Sequence, residues 1–86
     1  MKTVWLAIDK KNNEIKVHQF AETARNTVFE WVKNELFAMN AGLSENERLS
    51  EEIIMDEANE EVIQAEETPW FSRYSIKEVI VGGLRD

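Results

Sequence analysis

The chain has no cysteine, one proline, one histidine and only three glycines among its 86 residues. Without cysteine the protein forms no disulfide, and it has neither a thiolate nucleophile nor a cysteine ligand for zinc or an iron–sulfur cluster. The glycines are Gly42, Gly82 and Gly83, so no glycine-rich loop precedes a helix as phosphate-binding loops require. These absences exclude several common classes of enzyme.

Long apolar runs are missing as well. The longest, residues 4–8, falls far short of the roughly 18 residues that cross a bilayer. The N-terminus passes from Met1 and Lys2 directly into an alternating segment, without the apolar core of a signal peptide. With 43% hydrophobic residues, the chain is predicted to form one compact domain, residues 1–86, in the cytoplasm.

The charge of the chain is concentrated in one segment. The net charge is −7, and residues 44–67 alone carry ten acidic side chains against Arg48 as their only basic one. Nucleic-acid binding depends on Lys and Arg that displace counterions, so we expect no direct binding to DNA or RNA. The acidic segment suits a basic partner protein, or alternatively it only keeps a small protein soluble.

Two alternating segments, residues 3–8 and 14–20, predict a β-hairpin with turn residues at positions 9–13. The side chains expected to face the core are Val4, Leu6, Ile8, Ile15 and Val17. The opposite, partly hydrated face is expected to carry Trp5, Lys16, His18 and Phe20.

From Thr23 the apolar spacing becomes that of an amphipathic helix, which is expected to end at Gly42. The apolar stripe consists of Ala24, Val28, Val32, Leu36 and Met39. A capping box begins at Ser44, with Glu47 as its acidic partner, and predicts a second, acidic helix to about Gln64. The apolar residues of this segment do not share one face, so either the helix breaks near Met55 or residues 62–65 leave it.

A proline at position 69 breaks the preceding helix, and an aromatic cluster of Trp70, Phe71 and Tyr74 follows. The β-branched residues 75–81, which end at Gly82-Gly83, predict a third strand. The expected architecture is an α+β fold of order ββααβ, a small antiparallel or mixed three-stranded sheet with two helices packed on one face.

Residues suited to catalysis are few. His18 is expected to be a half-exposed strand residue, since no nucleophile or second base is paired with it in the sequence. Glu52, Asp56 and Glu60 are spaced to line one side of a helix, but the segment has none of the loop geometry of a calcium site. We therefore predict no catalytic residue, no metal and no cofactor.

The predicted partner-binding residues are an acidic row and two aromatic anchors: Glu51, Glu52, Asp56, Glu57, Glu60, Glu61, Trp70 and Phe71. Carboxylates can replace phosphates in a basic groove, because Arg and Lys donate charge-assisted hydrogen bonds to both. In size and charge, though in no residue motif, the chain is similar to the phage and mobile-element inhibitors that mimic nucleic acid, such as anti-CRISPR and anti-restriction proteins. The resemblance implies a non-enzymatic inhibitor of a basic, nucleic-acid-binding protein.

The alternative function is a structural or homo-oligomerisation module. In that case strand two or strand three presents an exposed edge that pairs with a second copy, and the acidic segment only solubilises the protein.

Overall fold

The fold combines a three-stranded antiparallel sheet with two helices. A computed structural model describes residues 2–81. The elements follow in the order β1 (Lys2–Asp9), β2 (Glu14–His18), α1 (Ala21–Ala41), α2 (Glu51–Glu67) and β3 (Tyr74–Val81). This arrangement confirms the predicted ββααβ order, and the pairing of the sheet is antiparallel throughout.

Strand β1 lies at the centre of the sheet, whose order is β2-β1-β3. Ala7 of β1 is opposite Lys16 of β2 on one side and Ile76 of β3 on the other. The predicted hairpin turn is confirmed, and Asn13 in it has a φ of 55°, a backbone region that asparagine tolerates better than most residues. Because β1 is central, β2 and β3 are both edge strands.

The helices cover the face of the sheet opposite to the predicted one. Ala7 is fully buried and Ile76 nearly so, with Trp5 packed against them. On the other side, Ile15 and Val17 are 58% and 63% exposed. The prediction that Val4, Leu6, Ile8, Ile15 and Val17 face the core is therefore wrong. Alternation determines which side chains share a face, but both faces of this hairpin carry apolar residues, so the pattern does not select the covered one.

The core between the sheet and the helices consists largely of small side chains. Its buried residues are Ala7, Ala24, Val28, Val32, Ala58, Ala65, Tyr74 and Ile76. Trp31 of α1 stacks on Tyr74 with ring centroids 6.3 Å apart, so this tryptophan belongs to the core. The apolar stripe predicted for α1 is buried at its first three members, whereas Met39 near the helix end is exposed.

Helix α2 begins at Glu51, six residues later than the capping box at Ser44 predicts. The true N-cap is Ser50, whose side chain accepts a hydrogen bond from the Ile53 N–H. Ser44 instead donates its hydroxyl to the Glu47 carboxylate within a turn. Asn40, near the end of α1, holds the loop between α1 and α2, since its side chain donates a hydrogen bond to the Leu49 carbonyl and accepts one from the Leu49 N–H. These two hydrogen bonds occupy the backbone groups that Leu49 would use in a helix that started earlier.

Once it begins, α2 continues to Glu67 without a break near Met55, so residues 62–65 are helical. Its buried side chains, Ile54, Ala58 and Ala65, lie on one face. Of the apolar residues off this face, Leu49 lies before the helix and Ile53 is 48% exposed. Strand β3 starts at Tyr74, and the Gly82-Gly83 pair predicted to end it lies outside the described residues.

Candidate functional site

The outward side of α2 is lined with carboxylates. At 100° per residue, the buried side chains Ile54, Ala58 and Ala65 fall on one side of the helix, three of the predicted acids fall on the opposite side, and a fourth, Glu57, falls on the flank. These four, here called the acidic face, are Glu52, Asp56, Glu57 and Glu60, and all are solvent-exposed. The burial of the three apolar residues thus turns the acids outward.

The acidic face has no cation paired to it within residues 2–81. The ion pairs in that part of the chain join Arg25 to Glu66, Lys33 to Glu30, and Arg73 to both Asp9 and Glu35. Carboxylates four residues apart on a helix repel each other and destabilise it by about 0.2–0.5 kcal/mol per pair. The acidic face therefore carries a modest cost in stability that the described residues do not relieve.

The charge density along α2 is close to that of a nucleic-acid strand. The four carboxylates of the acidic face extend from Glu52 to Glu60, a length of about 12 Å at a rise of about 1.5 Å per residue. The mean spacing is then about 4 Å per charge along the axis, compared with about 3.4 Å per charge for one strand of a DNA duplex. A basic groove that accepts phosphates would meet a similar line of negative charge here.

Two isoleucines lie among these acids on the outward side of α2. Ile53 is 48% exposed and Ile63 is 47% exposed. Apolar side chains surrounded by charged ones are typical of interfaces, in which a dry centre has a polar rim. The sequence pattern does not identify them, because their exposure follows only once Ile54 is known to face the core.

The other two predicted acids occupy different surroundings. Glu51 is exposed in the first turn of α2, where negative charge stabilises the helix dipole. Glu61 lies on the flank of the helix and is partly buried. This burial, together with the negative charge of Glu57, raises the pKa of Glu61, while the charge of Arg73 acts in the opposite direction. Glu61 therefore lies near the side of α2 that packs against the rest of the fold, and not on its outward side.

The structure separates the predicted aromatic anchors from the acidic face. Trp70 and Phe71 are 69% and 85% exposed in the loop after α2, with ring centroids 6.1 Å apart. Trp70 lines a shallow depression of about 290 Å³ together with Lys10, Pro69, Ser75 and Lys77. Ser75 and Lys77 alternate with the buried Ile76, so they point away from the helices. Trp70 thus lies on the sheet side of the molecule.

Arg73 forms an ion network that ties the elements together. Its guanidinium donates two hydrogen bonds of 2.9 Å to Asp9, which is only 2% exposed, and two of 2.7 and 3.0 Å to Glu35 of α1. The hydrogen bonds from Arg73 lower the pKa of Asp9. Burial raises the pKa of the adjacent Tyr74 to about 12. This network is structural, and local sequence does not predict it because its members are up to 64 residues apart.

The single histidine of the chain links the sheet to α1. The Nε2 atom of His18 lies 2.8 Å from the hydroxyl oxygen of Thr27, which joins β2 to α1.

Within residues 2–81 no three His, Asp or Glu side chains are grouped so that they could hold a metal ion. No helix in the same range has the length and apolar character needed to cross a bilayer. Comparisons of the chain with protein-family models, with curated proteins and with solved structures find no match.

Proposed function

We propose that this protein is a non-enzymatic, cytoplasmic binding protein whose acidic face occupies the basic, nucleic-acid-binding surface of a partner protein. The observation that carries the proposal is the line of exposed carboxylates on α2, which have no cationic partner within residues 2–81 and are spaced at about the charge density of a nucleic-acid strand. In the complex, Arg and Lys of the partner donate charge-assisted hydrogen bonds to these carboxylates in place of phosphates.

Ile53 and Ile63 support the same proposal. Both side chains are nearly half exposed beside the carboxylates, and a surface suited to solubility carries few exposed isoleucines. Next to the acids, they give a partner apolar contacts that a nucleic acid does not offer. Affinity for one protein over other basic proteins would then come from these side chains, and the carboxylates would steer the encounter.

The test neutralises the acidic face in one variant, Glu52→Gln/Asp56→Asn/Glu57→Gln/Glu60→Gln. The control variant, Glu14→Gln/Glu22→Gln/Glu45→Gln/Glu78→Gln, removes the same number of charges from four exposed acids outside α2. Proteins captured by the wild-type chain from a nuclease-treated lysate are eluted with duplex DNA or RNA, and the affinity of each purified candidate is measured at several salt concentrations.

We expect the acidic-face variant to bind at least about tenfold more weakly, since several charge-assisted hydrogen bonds are lost. The control variant should stay within about threefold of the wild type, because screening by salt limits the effect of distant charges. Equal weakening in both variants would show that only net charge matters, and unchanged affinity in the acidic-face variant would refute the proposal outright.

A further inference from the structure

The face of the sheet turned away from the helices is apolar and uncovered. This face, here called the open face, consists of the side chains that alternate with the buried Ala7 and Ile76. Its apolar members are Val4, Leu6, Ile8, Ile15, Val17, Val79 and Val81. Within residues 2–81 no helix or strand lies over it, and only the loop at Pro69 and Trp70 reaches one corner beside Ser75.

The open face also differs in charge from the rest of the molecule. The register places Lys2 and Lys77 on it, and among the described residues it carries no acid. The strands also carry three acids, whose side chains lie on the face of the sheet that the helices cover: Asp9, Glu14 and Glu78. A chain with a net charge of −7 thus presents, within residues 2–81, a broad surface that is apolar and carries no acidic side chain.

We infer that two copies of this chain pack with their open faces against each other. The resulting order of layers is helices, sheet, sheet, helices. With about 10 Å between packed layers, the acidic faces of the two copies lie on opposite outer surfaces, roughly 30 Å apart. Since the Debye length is about 8 Å at physiological salt, their repulsion is screened almost completely.

Other modes of self-association fit the charges less well. Packing through the helices would bring two acidic faces together. Pairing of β3 with β3 at the sheet edge would leave the apolar side chains of both open faces in water, and charged Lys77 and Glu78 in the middle of that strand disfavour edge pairing. Face-to-face packing is the arrangement that removes the apolar surface and keeps the acids apart.

The available area indicates a reversible dimer. Three strands about 4.8 Å apart, with eight, five and eight residues at about 3.3 Å each, give a footprint of roughly 330 Å². Trp70 lies at one corner of the open face and can add part of the roughly 150–250 Å² that an aromatic side chain buries. The total stays below the roughly 800 Å² per partner of a standard interface, so we expect a dissociation constant in the micromolar range.

The test compares two isoleucines of one sheet. Ile15 lies on the open face and is 58% exposed. Ile80 of β3 is 64% exposed, but its side chain lies on the face of the sheet that the helices cover. Because neither side chain is in the core, Ile15→Glu and Ile80→Glu should both fold, which circular dichroism checks. Sedimentation equilibrium of the wild type and both variants, from about 1 to 500 µM, gives the dimer dissociation constants.

We expect Ile15→Glu to weaken the dimer at least about tenfold and Ile80→Glu to change it less than about threefold, because moving a charge from water into an apolar interface is costly. The wild-type dimer should persist at 1 M salt, since its contacts are apolar. A wild-type monomer at 500 µM, or equal weakening by both variants, would overturn the inference. This inference does not depend on the proposed function of the acidic face.

A spin label identifies the mode of association independently. The chain has no cysteine, so Asp56→Cys places one label on each acidic face. The face-to-face dimer predicts a distance of about 30 Å or more between the labels. A distance below about 20 Å would show association through the helices and would contradict the proposed arrangement.

Discussion

Replacing Arg73 by methionine is expected to destabilise the protein far more than the same replacement at Arg25. Each arginine holds a carboxylate with two hydrogen bonds, Arg73 with Asp9 at 2.9 Å and Arg25 with Glu66 at 2.7 and 2.8 Å. The difference is burial. The side chain of Asp9 is 2% exposed, whereas those of Arg25 and Glu66 are 44% and 32% exposed. The two variants therefore compare a buried ion pair with an exposed one.

The expected magnitudes follow from what each variant leaves behind. Arg73→Met leaves the buried Asp9 carboxylate with hydrogen bonds from the Lys11 N–H and from Asn12, but without a cation. Breaking such a buried pair costs about 3–5 kcal/mol, and the partial exposure of Arg73 places the cost near about 3 kcal/mol. Arg25→Met removes an exposed pair worth about 0.2–1 kcal/mol.

Urea unfolding followed by tryptophan fluorescence measures the free energy of unfolding that each variant loses. The dependence of this loss on pH is a second check. Arg73 lowers the pKa of Asp9 below its value of 3.8 in the unfolded chain, so the pair stabilises the fold above that pH and loses its effect as the pH falls through the lowered pKa. In Arg73→Met the uncompensated Asp9 takes up a proton more readily. The penalty should therefore be largest near pH 7 and shrink below pH 4.

Equal losses in the two variants, within about 0.5 kcal/mol, would refute the assignment of Arg73 and Asp9 as a buried structural pair. A penalty for Arg73→Met that does not change between pH 7 and pH 3 would refute the electrostatic explanation, and would point instead to lost packing against Tyr74, whose ring lies 4.9 Å from the guanidinium carbon.

Three further substitutions test the description of α2. Ser50→Ala should cost about 1 kcal/mol, because the Ile53 N–H loses its cap, whereas Ser44→Ala should leave urea unfolding nearly unchanged. Glu61→Gln should raise the melting temperature at pH 7 but not at pH 4. Its raised pKa means that the folded state disfavours the charged carboxylate, so any stability gained from protonation is present below the unfolded value of 4.5 and lost as the pH rises through the folded pKa. A stabilisation that is equal at both pH values would exclude charge as its cause.

The outward acids of α2 could be predicted from the sequence, but the composition of the candidate site could not. Helical periodicity groups Glu52, Asp56 and Glu60 on one side whatever the rest of the chain does. The exposure of Ile53 and Ile63 depends on which apolar residues of α2 meet α1 and β3. The position of Trp70 depends on the path of the loop after α2, where Lys10 donates hydrogen bonds to the carbonyls of Pro69 and Ser72.

The sequence alone determined the elements of this fold and their order, because strands and helices follow from side-chain periodicity and turn residues that act over a few positions. The start of α2 was decided at longer range, since Ser44 and Ser50 are both plausible caps and the hydrogen bonds from Asn40 to Leu49 favour the second. The choice of sheet face was tertiary as well. Both faces of the hairpin are apolar, and only the packing of α1 and α2 against Ala7 and Ile76 selects the one that becomes the core.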